Sequence, residues 1–259
     1  EIVSRDWSSD VCSSDLLVIF SEDRLRLKRA DVLENVVIDG QAVQYLTGNV
    51  VFEKGAMIIN CAKAINIEKT GQGSMIGNVK VVNDNQSLTC DSLHYDSPND
   101  ILHGFGNARV WDNDYDLLAD TLLYYSNLDS GIARGNAELT QKNQIIISHS
   151  IYYAKHTGED AVSYTAEGNV TILEDERKAT CGRAIYNRED QTTWLKLDPH
   201  LTEKDQTMTG SEIILRYKDE VMEHLYIPAQ AHVTTLTKGL REITISRNEI
   251  GRASCRERV

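Results

Sequence analysis

The chain has 259 residues, 41% apolar and 25% charged, with a formal net charge of −12. That apolar content suffices for a core and excludes a disordered chain, while acidity throughout leaves no basic face for nucleic acid. No stretch reaches the roughly 18 consecutive apolar residues of a helical membrane span, and three prolines with no Gly/Ser linker describe one continuous body.

Residues 1–16 do not read as protein. Asp6-Trp7-Ser8-Ser9-Asp10-Val11-Cys12 resembles the in-frame translation of a sequencing adaptor, and 249–259 resembles that of the opposite one, so both ends are set aside before fold reasoning. The first holds one Arg and four acids, the second three Arg and two Glu; without them 23 basic and 33 acidic residues remain, a net charge of −10. The first residue is not Met, and the chain reads as an open-ended fragment. Leu17-Val18-Ile19-Phe20-Ser21 reads either as the stub of a secretory signal peptide or as a first strand, and both readings stay open.

From residue 22 to 248 the dominant feature is a repeat. Gly-Asn pairs stand at Gly48-Asn49, Gly77-Asn78, Gly106-Asn107, Gly135-Asn136 and Gly168-Asn169, with spacings of 29, 29, 29 and 33. Four extra residues fall in the last interval, placed around 156–160. With each Gly as position zero, the units align residue by residue. Positions +2 and +4 hold Val50 and Phe52, Val79 and Val81, Ala108 and Val110, Ala137 and Leu139, Val170 and Ile172. Position +11 holds Ile59, Leu88, Leu117, Ile146 and Ala179; position +16 holds Ala64, Leu93, Leu122, Ile151 and Ala184.

Apolar residues two apart predict strands with one buried face. The intervening residues, such as Lys80, Arg109 and Glu138, face water. The step of three from +13 to +16 breaks the alternation once per unit and predicts a bulge or corner. Gly-Asn supplies the positive φ of a tight turn. Each unit is then a short strand, a turn, a longer bent strand, a turn such as Asp96-Ser97-Pro98-Asn99-Asp100, and a return strand. Helical periodicity is absent; its best candidate, 31–36, is too short. After Arg188 the pattern loosens, with Thr209 to Tyr217 resembling a bent strand and Met222 to Val233 a strand pair. The predicted fold is all-β: an elongated antiparallel repeat β-jellyroll with two facing twisted sheets and repeats of about 29 residues.

Several residue types invite a chemical reading. Cys61, Cys90 and Cys181 share the +13 slot with Ala119 and Ser148, which makes them small core residues, with a Cys61–Cys90 disulfide left open. No CxxC or CxH spacing suggests zinc. Tyr95, Tyr124, Tyr153 and Tyr186 at +18 are expected at the core edge with hydroxyls in water, or along the rim of a trough. Asp112, Asp114 and Asp116 alternate as in a calcium loop but lack the Gly and Glu that follow in one, so they read as a solvated turn. No HExxH, nucleophile elbow or other catalytic motif occurs, so no enzyme, metal or cofactor is expected.

The phrases Leu46-Thr47-Gly48-Asn49-Val50, Leu118-Ala119-Asp120-Thr121-Leu122-Leu123-Tyr124-Tyr125 and Ala166-Glu167-Gly168-Asn169-Val170 resemble the OstA-like (organic solvent tolerance) N-terminal domain family of LptA/LptC/LptD-type lipopolysaccharide-transport jellyrolls. The family pattern is roughly A-x-G-N-V and then L-x-A-D-x-L-x-Y, and five copies lie in register over most of 38–233. Two units depart from it, with Cys61-Ala62-Lys63-Ala64 and Ser148-His149-Ser150-Ile151. The resemblance implies a periplasmic protein of lipopolysaccharide transport and outer-membrane assembly. It implies an apolar trough for acyl chains, and end-to-end joining of jellyrolls.

The partners so implied are lipopolysaccharide or another acyl lipid, and other bridge jellyrolls through edge-strand addition, with self-association by the same route. The trough would be lined by Val50, Phe52, Val79, Val81, Leu88, Leu93, Val110, Leu117, Leu122, Leu139, Ile146, Ile151, Val170 and Ile172. Exposing a fourteen-carbon chain to water costs on the order of 10 kcal/mol at about 0.8 kcal/mol per methylene, so a carrier needs a long groove. The rival reading is a structural β-repeat scaffold or spacer with a self-filled core, in which the stacked Asn residues could form a ladder.

Overall fold

The computed structural model describes residues 25–67, 70–128, 130–155, 162–218, 221–237, 240–245 and 251–253. The first part runs β1 (Arg26–Arg29), β2 (Val32–Ile38), β3 (Gln41–Lys54), β4 (Met57–Ile67), β5 (Gln72–Asn83), β6 (Gln86–Asp96), β7 (Ile101–Trp111), β8 (Asp116–Tyr125), β9 (Ser130–Gln141), β10 (Gln144–Lys155), β11 (Val162–Glu174) and β12 (Arg177–Asn187). Shorter strands follow: β13 (Thr192–Lys196), β14 (His200–Glu203), β15 (Gln206–Thr209), β16 (Glu212–Lys218), β17 (Val221–Ile227), β18 (His232–Thr237), β19 (Leu240–Ile245) and β20 (Gly251–Ala253). The protein is all-β and every pairing is antiparallel. Residues 1–21, where the adaptor and the first-strand or signal-peptide readings fall, lie outside the described residues, as do 156–160. Of 249–259, the backbone of β20 is described; it pairs with β17.

From β2 to β12 each strand pairs with the next. Midway along each long strand the chain turns a corner. In the β7–β8 pair, Phe105 faces Thr121 and Ala108 faces Ala119, so Gly106-Asn107 stand together against Asp120 alone. This two-against-one bulge needs a left-handed backbone, and Gly106 and Asn107 have φ of +72° and +47°. The Gly-Asn pairs are therefore not tight turns between strands. Backbone pairing continues across them, and the expected return strand and short strand are one bent strand. The corner expected at +13 to +16 lies on the neighbouring strand at the same height, because both members of a ladder must bend together.

The bend divides the molecule into two walls that share every long strand. Beyond β12 the division becomes explicit. Arg183–Asn187 of β12 pairs with β13, while Arg177–Thr180 pairs with β14. From there β13, β16, β17 and β20 continue wall A, and β14, β15, β18 and β19 continue wall B. The two facing sheets of the sequence reading are thus halves of one hydrogen-bonded sheet joined along the corner. The bent strand expected at 209–217 is β15 and β16. Residues 222–233 do not form a pair with each other: β17 belongs to wall A and β18 to wall B.

The corner is held in part by side chains. Asn49, Asn107 and Asn136 donate from Nδ2 to Asp31, Asp91 and Asp120 at 2.9, 2.9 and 3.1 Å. These Asn residues bond back to an aspartate earlier in the chain, on the preceding strand or, for Asn49, in the break between β1 and β2, and not to one another, so the Asn ladder of the scaffold reading is not formed by them. Turn-directing residues close the outer ends of the walls: Asp39-Gly40, with φ of +49° and +73°, at wall A and Gly55, at +55°, at wall B.

Candidate functional site

All fourteen aliphatic and aromatic residues expected to line a trough point inward and are buried, from Ile146 and Ile151 at 0% exposure to Leu88 and Ile172 at 5%. They join Ile59, Met75, Ala133 and Leu195 in one apolar body between the walls. Period two delivers this directly: β7 buries Leu102, Gly104, Ala108 and Val110, while Arg109 between the last two pairs with Asp116 at 2.6 Å outside. Within this body lie a void of about 30 Å³ beside Val81, Leu88, Leu102 and Val110, and one of about 10 Å³ beside Ile172, Leu201 and Leu215. Each accommodates about one water-sized group.

Cys61, Cys90 and Cys181 are buried free thiols, so Cys61 and Cys90 do not pair. Burial in apolar surroundings pushes each thiol up to about 11, which keeps it protonated and inert. The aspartates of the calcium-like run serve the turn: Asp112 Oδ1 accepts from the backbone N–H of Asp114 and Tyr115 at 2.7 and 3.0 Å, and Asp116 holds Arg109.

The residues that sequence reasoning missed lie opposite the corner, at the mouth, where the outer ends of the walls meet. There the walls touch through polar side chains. Lys54, at the end of β3 in wall B, reaches Asp100 Oδ1 at 2.6 Å and donates to the Tyr95 hydroxyl at 2.9 Å; both partners belong to wall A. Tyr95 itself donates to Asp100 at 2.8 Å. Farther along, the Tyr115 and Tyr153 rings meet with centroids 6.0 Å apart. The Tyr164 hydroxyl of wall A donates to Gln144 Oε1 of wall B at 3.0 Å, and Tyr217 of wall A donates to Glu174 Oε2 of wall B at 2.9 Å.

The electrostatics follow from this half-dry position. Burial by itself would lower the Lys54 ammonium, but bonds to Asp100 and Tyr95 outweigh it and hold it above its ordinary value. Burial would likewise raise Asp100, yet Lys54, Tyr95 and Ser126 bring its carboxyl below the ordinary range. Burial lifts the phenols of Tyr95, Tyr164 and Tyr217, keeping them protonated as donors. The expectation that the +18 tyrosines keep their hydroxyls in water is corrected at Tyr95. It is fully buried, and its hydroxyl is bonded on both sides. The available signal was chemical, since a buried tyrosine needs a hydroxyl partner; one partner, Asp100, is five residues on, but Lys54, which ties the pair to the other wall, lies 41 residues away and no local pattern marks it.

At one stretch of the mouth the walls leave a polar cleft of about 360 Å³ lined by Asp114, Lys142, Gln144, Glu174, Arg188 and Tyr217 among others. At the other extreme, β2 is an edge strand whose residues are all exposed, with Val37 74% accessible; among the described residues it pairs only with β3.

Residues 66–211 match the family model described as OstA-like protein. No curated protein matches the chain. Among solved structures it is similar to LptH, the LptA homologous periplasmic component of the conserved lipopolysaccharide transport device from Pseudomonas aeruginosa. The identity is 13%, covering 51% of this chain and 95% of that one, with a TM-score of 0.40.

Proposed function

The chain belongs to the OstA-like protein family, and on that premise we propose that it is a non-enzymatic periplasmic protein of lipopolysaccharide transport and outer-membrane assembly. In this reading residues 22–248 form the working jellyroll. It holds acyl chains of lipopolysaccharide or a related lipid between its walls, against the aliphatic row from Val50 to Ile172. Its exposed edge, β2, adds to a strand of a neighbouring jellyroll or of a second copy.

One observation carries the lipid part. The apolar interior runs the length of the bent strands, and its walls are joined by backbone hydrogen bonds along the corner, whereas the contacts found at the mouth are between side chains. Opening a mouth of that kind breaks a few bonds of about 1 kcal/mol each and leaves every strand pairing intact. A bound chain of fourteen carbons returns on the order of 10 kcal/mol.

The scaffold reading keeps one observation of its own: the inward residues are already buried against each other, and the interior voids found among the described residues, about 30 and 10 Å³, are far smaller than the 300–1,000 Å³ of ordinary ligand pockets. The deciding experiment is purification from an outer-membrane-bearing host followed by mass spectrometry of an organic extract. Near-stoichiometric lipid A or other acyl lipid supports the carrier. A folded, lipid-free protein that also takes up no added lipid leaves the scaffold.

A further inference from the structure

The polar cleft at the mouth and the 10 Å³ apolar void beneath it share four lining residues: Gln144, Glu174, Thr193 and Tyr217. On the cleft side stand Lys142 and Arg188, and on the inner side Ile172, Ala179, Leu201 and Leu215. A single layer of side chains therefore separates solvent from the apolar body. The Tyr217–Glu174 bond of 2.9 Å bridges wall A to wall B within that layer.

Two buried side-chain atoms have no hydrogen-bond partner here: Thr193 Oγ1 within that layer and Arg177 Nη1 on its void side. Thr193 is 1% exposed and lines both cleft and void, and Arg177 lines the void. Buried polar atoms are ordinarily satisfied, so Thr193 Oγ1, unmet at the boundary of cleft and void, is open to a group that enters there. Arg177 Nη1 can only donate and Thr193 Oγ1 can donate, so each calls for an acceptor, which an oxygen-bearing group supplies.

We propose that this cleft is the port through which an acyl chain reaches the interior, with Tyr217–Glu174 as its gate. The inference rests on the acyl-lipid reading above. The ligand is an amphiphile with a carboxylate or phosphate head. Its chain passes between Tyr217 and Glu174 toward Ile172, Leu201 and Leu215. Its head stays in the cleft, with Lys142 and Arg188 on the outer side and an oxygen accepting from Thr193 Oγ1, which lines both cleft and void. The port is local: the Lys54–Asp100–Tyr95 contact closes another stretch of the mouth and takes no part.

The test is stopped-flow binding of dansyl-undecanoic acid to the full chain, with dansyl-glycine as the head without the chain. Tyr217→Phe and Glu174→Met, which leaves no oxygen to accept from the tyrosine hydroxyl, remove the gate bond and should each raise the association rate about fivefold, the factor carried by one net hydrogen bond. Thr193→Val should weaken equilibrium binding by a similar factor, and Lys54→Met should change the association rate less than twofold. Binding that is unaltered by both gate variants, or accelerated equally by Lys54→Met, overturns the port while leaving the lipid reading in place. Dansyl-glycine binding as tightly as the long-chain probe also overturns it. No binding of either probe to the wild type or to any folded variant overturns the lipid reading, and the port with it.

Discussion

Gly182 on β12 and Leu197, in the break between β13 and β14, exchange the roles that glycine and side chain hold at other corners. Leu197 takes the left-handed backbone with φ +64°, followed by Asp198 at +59°, and a Cβ on Gly182 would lie 2.7 Å from that of Leu197. At Gly106 and Gly135 the glycine is on the later strand and an aspartate, Asp91 or Asp120, faces it from the earlier one. At the sixth corner the side chain is on the later strand and the glycine on the earlier. Only one of the two facing positions has room for a side chain.

Gly182→Ala should therefore destabilise the protein by about 1–3 kcal/mol, the usual cost of overpacking. Leu197→Gly should be near neutral or stabilising, since Leu197 is 67% exposed and left-handed geometry costs about 1–2 kcal/mol. In the double variant most of the Gly182→Ala loss should be recovered. Denaturant midpoints of the four proteins measure the coupling, and simple additivity would refute the shared-corner account.

Gly77, which precedes Asn78, faces Ala62 where Gly48, Gly106 and Gly135 face the aspartates that Asn49, Asn107 and Asn136 bind. Ala62→Asp should supply the missing Asn–Asp bond and stabilise by about 0.5–1 kcal/mol, the net worth of one hydrogen bond. Thermal unfolding reads this; pairing it with Asn78→Ala should cancel the gain.

The Lys54–Asp100 contact makes stability depend on pH in a defined direction. Asp100 titrates below its ordinary value, so its contribution is complete above the unfolded pKa and is lost as pH falls through the folded one. Lys54 titrates above its ordinary value, so its contribution is complete below the unfolded pKa and is lost as pH rises through the folded one. Asp100→Asn should cost about 1–2 kcal/mol at neutral pH. The gap to the wild type should close as pH falls below about 4, measured by urea unfolding across that range.

Cys61, Cys90 and Cys181 should resist alkylation in the folded protein at pH 8, because each is buried and its thiol is pushed up to about 11. Peptide mass spectrometry after brief iodoacetamide treatment should find these three unmodified natively and fully modified in denaturant. Rapid native modification of Cys90 would mean that the walls part readily at the mouth, far enough to expose the corner.

β2 presents Val36 and Val37 at 42% and 74% exposure on an edge strand. Val37→Lys should reduce association through that edge, and Val36→Pro, which blocks strand addition more directly, should reduce it further. Sedimentation over a concentration series checks both. A wild type that stays monomeric at the highest concentration would remove the edge from the functional reading.

The inward face of this protein was legible in its residues. Period two within strands and Gly-Asn at intervals of 29 identify Val79, Val81, Leu88 and Leu93 as core, because burial on a pleated strand repeats locally and leaves a local trace. The same pattern could not say whether Gly-Asn is a turn or a bulge. Both need positive φ, and the difference lies in whether the neighbouring strand keeps its pairing past that point. Nor could it show the sixth corner, 29 residues after Gly168, because Leu197-Asp198 lacks the Gly-Asn signature and its compensating Gly182 sits on another strand. The mouth was decided by tertiary structure alone. Lys54 and Asp100 are 46 residues apart and Glu174 and Tyr217 are 43 apart, so they meet only after the two walls have folded about the corner. A contact made by closing one half of a sheet upon the other has no period along the chain.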